Sequence, residues 1–344
     1  MLNKNLVYIV NKNSSFNEVL FKINQNGQGF VVCVDEKNCL FGILTDGDIR
    51  RALLAGINLN FDIINKNPIK SYVGKTLNEY KVLIKEHNLK ALPLINSVGE
   101  LEDVLSKDIL IEKYTNRVVI MAGGLGSRLG ELTKNTPKPM LLVGGKPILE
   151  TIILNFKDQG FLNFTICVNF LSEQIIEYFA DGSKLGVNVE YIIEDKRLGT
   201  AGAISKLIEI KEPFFLVNGD ILTSINFSKF LQSHLSSDAF ITVCLSKFKY
   251  QLPFALVEAD SAKKILLIKE KPSFEYLINA GMYVLDPSII SLIPNDTFID
   301  ITTVIEKALE KELLVSSFLY DGYWLDIGRK EEFEKANIDY YEIK

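Results

Sequence analysis

Between residues 117 and 217, short apolar runs alternate with amphipathic stretches of helical period, and no other feature of the sequence constrains the fold as strongly. The pattern predicts strands at 117–122, 164–168, 187–193 and 214–217, with helices at 150–159, 173–179 and 201–208 between them. Strands joined through helices of this length pair in parallel, because the helix carries the chain back to the end of the sheet where the strand began. The predicted fold class is therefore α/β, with a Rossmann-like mixed, mainly parallel sheet and helices on both faces. In such sheets ligands sit outside the carboxyl ends of the strands.

The first 114 residues follow a different, repeated plan. A helix is expected at 11–24, where Phe16, Val19, Leu20 and Ile23 share a face behind a Ser14-Ser15 start. Strands follow at 30–34 and 40–44 around a turn at 35–38, and Asp46 opens a helix reaching 52–54. The order recurs with a helix from Thr76 to about 87, strands at 91–95 and 101–105 around a turn at 96–100, and a terminal helix. Neither copy is large enough to bury its own sheet face, so the two are expected to pack on each other. At 344 residues, two domains are expected, 1–114 and 115–344.

A net charge of −5 with no basic cluster argues against a nucleic-acid surface. The apolar run at the N-terminus is shorter than a signal-peptide core or a membrane span, so a cytoplasmic protein without a membrane partner is expected. Cys33, Cys39, Cys167 and Cys244 form no CxxC pair and read as reduced, buried thiols rather than a disulfide frame or a zinc site. His87 and His234 read as structural or exposed.

The strongest local signal is the apolar strand ending at Met121, which runs into Ala122-Gly123-Gly124-Leu125-Gly126-Ser127-Arg128. Glycines let backbone N–H groups approach a polyphosphate, and a following helix start would add partial positive charge. Arg128 lies inside the loop. Lys138, flanked by Pro137 and Pro139, follows shortly after, so a guanidinium and an ammonium can converge on a triphosphate. A dinucleotide loop of an NAD(P)-dependent oxidoreductase would prefer an acidic residue after the second strand, where Val168-Asn169 stands instead.

With these motifs in place, residues 117 to about 335 resemble the sugar-1-phosphate nucleotidyltransferases. The resemblance rests on GGLGSRL, TPKPML, LGTAGA (198–203), VNGD (217–220), EKP (270–272), NAG (279–281) and WLDIG (324–328). It implies the mixed sheet of that family and assigns Asp220 and Asp326 to a Mg²⁺ ion held against the triphosphate. Arg128 and Lys138 would neutralise phosphate charge, and Lys271 would hold the sugar phosphate. Ala122, Gly123, Gly124, Gly126, Ser127, Gly199, Thr200 and Gly202 would meet the nucleotide, while Gly219, Glu270, Asn279 and Gly281 would meet the sugar. A phosphate monoester with a second pKa near ~6 is already ionised at neutral pH, so no general base is required. A non-catalytic nucleotide sensor is the remaining alternative, with the intact charged set against it.

The N-terminal repeats resemble a pair of CBS domains. The match lies in GILTDGDIRR at 42–51, where Thr45 and Asp48 would meet the phosphate and ribose of an adenine or guanine nucleotide; the second copy, VLSKDI at 104–109, lacks the glycine. Such pairs imply a homo-oligomer. Two departures in the second domain, Ala255 in place of a glycine and Lys196-Arg197 in place of a proline before Leu198, bear on the sugar rather than the reaction. The sequence ends without hexapeptide repeats, so an attached acyltransferase domain is not expected. A CBS pair joined to this transferase resembles guanylyltransferases acting on glucosamine 1-phosphate in legionaminic acid synthesis. The expected reaction is GTP plus glucosamine 1-phosphate giving GDP-glucosamine, with heptose 1-phosphate guanylyltransfer, or uridylyl, cytidylyl or thymidylyl transfer to another hexose 1-phosphate, as alternatives.

Overall fold

The computed structural model describes residues 8–110 and 112–340 and divides into two compact units, Met1–Glu112 and Lys113–Lys344. In the first unit a strand, Ile9–Asn11, runs parallel to Phe30–Val34 where the sequence predicted the start of a helix. The Asn11 side chain and carbonyl accept the N–H groups of Asn13 and Ser14, both at 2.9 Å, which turns the chain before the helix can start. The helix itself is Phe16–Asn26, capped by the Ser15 hydroxyl and closed by Gly27 in the left-handed region.

Leu40–Thr45 completes the first three-stranded sheet and leads into the helix Asp46–Leu54. The plan repeats as Ser71–Tyr72, helix Leu77–Glu86, Ala91–Ile95 and Leu101–Ser106, with the same strand order. Phe30, Val32 and Ile43 of the first copy share one buried cluster with Ala91, Leu101 and Val104 of the second, so the two sheets cover each other as expected. In place of the predicted terminal helix there is a single 3-10 turn, Lys107–Leu110. Cys39 is half-buried rather than buried.

The second unit is built on a seven-stranded sheet. Its order is Asn188–Ile193, Phe161–Val168, Tyr114–Met121, Phe214–Asn218, Ser273–Leu285, Ile241–Gln251, Val315–Tyr320. Four of its six pairings are parallel, and Ser273–Leu285 makes the two antiparallel ones. Helices cover both faces. One face buries an aromatic cluster in which Phe156 and Phe227 stack at 3.5 Å between ring centroids, and the other buries Leu198, Ile204, Tyr283 and Val304.

The helix predicted at 201–208 is only a short turn, Gly199–Gly202, followed by a 3-10 turn, Ala203–Lys206. The Ser205 hydroxyl donates to the Gly202 carbonyl at 2.7 Å and so competes with continued helix formation. Two small antiparallel ribbons stand beside the main sheet: Ile221–Thr223 with Trp324–Asp326, and Leu256–Ala259 with Ile265–Lys269. Among the described residues no helix is long and apolar enough to cross a membrane.

Candidate active site

Val118, Val119 and Ile120 of Tyr114–Met121 are fully buried between neighbouring strands, and the chain emerges at the carboxyl edge of the sheet, where the glycine loop begins. The buried Ala122 donates its N–H to the Cys167 carbonyl at 2.8 Å, tying the loop to the next strand. Gly123 and Gly124 then line a cavity of about 370 Å³. A Cβ built on Gly124 would meet nothing within 4 Å, so its backbone is open to a ligand. Gly126, at φ 64°, closes the loop onto the following segment: a Cβ there would lie 2.8 Å from Thr133 and 3.0 Å from Lys138.

No helix follows this loop. Ser127–Thr133 forms 3-10 turns interrupted at Gly130, whose φ is 59° and ψ −124°. The expected contribution of a helix dipole is therefore corrected: without a run of aligned peptides, local positive charge must come from side chains. Arg128 lines the cavity, whereas Ser127 is exposed at the start of the turn and is not among the lining residues.

Two carboxylates complete this wall. Asp220 follows the strand Phe214–Asn218, and Asp326 ends the strand Trp324–Asp326; both line the cavity. The Lys138 ammonium, almost fully buried, forms an ion pair with Asp220 Oδ2. Oδ1 of Asp220 and Oδ1 of Asp326 are buried without a hydrogen-bond partner, a costly arrangement unless another group satisfies them. Burial, followed by the neighbouring Asp220 charge, pushes the Asp326 carboxyl up to about 6, with Lys138 and Arg128 acting in the opposite direction. Among the described residues no cluster of three or more His, Cys, Asp and Glu side chains could hold a metal alone. Two carboxylates with unpaired oxygens fit Mg²⁺, which takes one or two protein carboxylates and completes its shell with phosphate oxygens and water.

Leu198, Gly199 and Thr200 also line the cavity. The sequence reading gave Gly199 and Gly202 to close approach by a ligand. Much of that close approach is instead made by the chain itself, since a Cβ on Gly199 would lie 2.6 Å from the Ile299 carbonyl and one on Gly202 2.5 Å from the Thr297 carbonyl. Asp300 Oδ1 accepts the Thr200 N–H at 3.1 Å and the hydroxyl at 3.3 Å. Arg197 and Asn218, quoted above without a site role, also line the cavity, and three further lining residues carry no sequence signal: Glu194, Phe298 and Asp300. Glu194 is 6% exposed; its Oε2 accepts the Leu198 N–H at 3.1 Å, its Oε1 faces Gly123, and burial raises its pKa. No local motif marks this residue, because only the fold buries it.

The expected sugar-binding residues are distributed differently. Gly219 fastens two strands together, donating its N–H to the Met121 carbonyl at 2.9 Å. Gly281, at φ 70°, lies directly behind Asn218, where a Cβ would fall 2.6 Å from its amide. Asn279 accepts the Gly281 N–H at 2.9 Å and donates to the Tyr283 hydroxyl at 2.7 Å. Glu270 and Lys271 are exposed at the end of a ribbon and are not among the residues lining the cavity. In the first unit, Thr45 and Asp48 serve each other: the Thr45 hydroxyl donates to Asp48 at 2.6 Å, Asp48 accepts the Thr45 N–H, and Arg51 pairs with its other oxygen. The two residues thus cap the helix Asp46–Leu54.

Comparison with known proteins agrees with this geometry. The family model described as "Nucleotidyl transferase" matches residues 117–342, and a CBS domain model matches residues 2–55. The chain is 32% identical to a mannose-1-phosphate guanyltransferase of Yarrowia lipolytica over 62% of its own length and 61% of that relative's, and so spans about three-fifths of it. It is also 32% identical to the D-glycero-alpha-D-manno-heptose 1-phosphate guanylyltransferase of Campylobacter jejuni, over 63% of this chain and 96% of that one. The crystal structure of HddC from Yersinia pseudotuberculosis complexed with GMP-PN matches with a TM-score of 0.52 and 28% identity, covering 66% of this chain and all of that one. The glycine loop and the two carboxylates around one cavity, Asp220 with its buried lysine partner, lie within the matched span, and this chain belongs to the nucleotidyl transferase family, with a CBS domain preceding the transferase fold.

Proposed function

We propose that the second unit transfers a guanylyl group from GTP to a sugar 1-phosphate, releasing pyrophosphate. A phosphate oxygen of the sugar 1-phosphate attacks the α-phosphorus of GTP, the bond between the α-phosphorus and the bridging oxygen breaks, and pyrophosphate departs with the electron pair. The reaction depends on positioning and on neutralising charge. The observation that carries the reading is the pair of unpartnered carboxylate oxygens, on Asp220 and Asp326, in the same cavity as Arg128 and the open Gly124 backbone.

Asp220 and Asp326 would hold Mg²⁺, which when bound supplies positive charge to the triphosphate oxygens. Among the described residues Arg128 forms no ion pair with a carboxylate, which leaves its guanidinium available for phosphate. Lys138 pairs with Asp220 and acts to lower the pKa of the neighbouring Asp326. Guanine is favoured by Glu194, whose carboxyl oxygens would accept from the donors that guanine offers at N1 and N2. Glucosamine 1-phosphate is the proposed acceptor. The near-complete coverage of the Campylobacter heptose enzyme supports heptose 1-phosphate as the second reading. Lys271 and Glu270 would serve the sugar from the ribbon.

For the first unit, we propose a module that binds an adenine or guanine nucleotide or joins two copies of the chain. The discriminating assay for the transferase is pyrophosphate release with GTP, UTP, CTP, dTTP and ATP, each paired with glucosamine 1-phosphate, mannose 1-phosphate and heptose 1-phosphate. Release restricted to GTP supports guanylyl transfer and identifies the sugar; release with another triphosphate alone rejects the base assignment.

A further inference from the structure

The helix Lys330–Asp339 bonds both to the loop that follows Asp326 and to the hairpin that follows the Lys138 turn. Near its start, Glu332 Oε2 accepts the N–H groups of Gly328 and Arg329, both at 2.7 Å. These belong to the second and third residues after Asp326. The loop they fix is narrow, since a Cβ on Gly328 would lie 3.2 Å from Glu332 Oε2 and 3.4 Å from both terminal nitrogens of Arg128. Near its other end, Asn337 Oδ1 accepts the Gly144 N–H at 3.2 Å. Gly144 turns the hairpin between Leu142–Val143 and Lys146–Pro147, which directly follows the turn Lys138–Met140. Between these contacts Ala336 is fully buried in the main core, so the helix is anchored.

We propose that Glu332 is a positioning residue for the metal site, and that the helix carrying it sets the spacing between the Asp326 loop and the Lys138 segment. The inference rests on the reading of Asp220 and Asp326 as Mg²⁺ ligands. Electrostatics alone would disfavour a glutamate here, because its negative charge makes ionisation of Asp326 harder. What compensates is a pair of charge-assisted hydrogen bonds to adjacent backbone N–H groups. These bonds hold the loop at a fixed height over Arg128, so the carboxylate of Asp326 and the guanidinium reach one ligand from fixed directions. Outer groups of this kind commonly alter metal affinity by roughly 10–100-fold when removed.

Trp324, the single tryptophan of the chain, lies two residues before Asp326 and donates its ring N–H to the Ala280 carbonyl at 2.9 Å. Its emission therefore offers a readout of the site that does not depend on turnover. The full chain and the variants Glu332→Ala, Glu332→Gln, Asn337→Ala and Asp326→Asn are titrated with MgCl₂ in the presence of GTP, by Trp324 emission and by calorimetry, with thermal denaturation in parallel. Glu332→Ala should raise the half-saturating Mg²⁺ concentration about tenfold and lower kcat with the KM for sugar 1-phosphate unchanged. Glu332→Gln keeps a carbonyl acceptor and should restore most of both. Asn337→Ala should weaken Mg²⁺ binding in the same direction at a position remote from Asp326, which keeps the test open if Glu332→Ala does not fold. Wild-type Mg²⁺ binding and kcat in both alanine variants overturn the proposal while leaving the metal reading intact. Wild-type binding in Asp326→Asn overturns the metal reading, and the positioning role with it.

Discussion

The Ile327 N–H donates to the Asp220 carbonyl at 3.0 Å, and Ile221 stands opposite Asp326 across the same antiparallel pair. The two carboxylates, 106 positions apart in the numbering, are thus brought together by a backbone ladder. Either Asp220→Asn or Asp326→Asn should lower Mg²⁺-dependent turnover by on the order of 10²-fold or more. The ladder should keep both variants folded, which circular dichroism will check.

Protonation gives a second test. The Asp326 carboxyl, raised by burial and by Asp220 from its ordinary 3.8 to about 6, binds its proton more tightly in the folded than in the unfolded chain. The metal-free protein should therefore lose stability from this group as pH rises from 3.8 through about 6. Mg²⁺ requires the carboxylate, so its affinity should climb through the upper part of that window. Lys138 acts to lower this pKa. Lys138→Met should accordingly move the acidic limb of the kcat/KM profile to higher pH, and a limb that stays in place would remove the coupling.

Gly202 supports a stability prediction. A Cβ at this position would lie 2.5 Å from the Thr297 carbonyl and 2.8 Å from the Leu198 side chain, and the backbone carbonyl has no room to retreat. Gly202→Ala should destabilise the second unit by about 1–3 kcal/mol, read as a lower denaturation midpoint. Gly124→Ala, where the added carbon meets nothing, should leave that midpoint unchanged and act on nucleotide KM instead.

Base selection should depend on Glu194. Glu194→Gln replaces an acceptor-only carboxylate with an amide that also donates, so the ratio of kcat/KM for GTP over UTP should fall by roughly tenfold, within the range expected for one lost complementary base contact. An unchanged ratio would assign guanine recognition to other residues.

Much of this arrangement was legible in the sequence because period and punctuation are local. The apolar runs ending at Met121 and Val217 marked the strands, and the strands marked the edge where Gly123, Gly124 and Asp220 emerge. The paired repeats of the first unit were legible for the same reason. Contacts between distant segments were not. Glu194 has no motif around it and becomes informative only when the fold buries it; Phe298 and Asp300 reach the cavity because Ile299 pairs with Leu198 and Ala201. The segment after Gly202 carries helical apolar spacing, yet Ser205 and the close packing of two glycines keep it from becoming a helix. Glu270 and Lys271, given to the sugar by resemblance, sit on a ribbon whose residues Ile265–Lys269 are all exposed.

Pyrophosphate release by the full chain, measured with GTP and a sugar 1-phosphate with and without Mg²⁺, tests the central claim most directly. Wild-type protein should release pyrophosphate in step with a GDP-sugar only when the metal is present, and Asp220→Asn should reduce that release to background. Release that continues without a divalent cation, or that Asp220→Asn leaves unchanged, would contradict a site in which Asp220 and Asp326 hold the metal against the triphosphate.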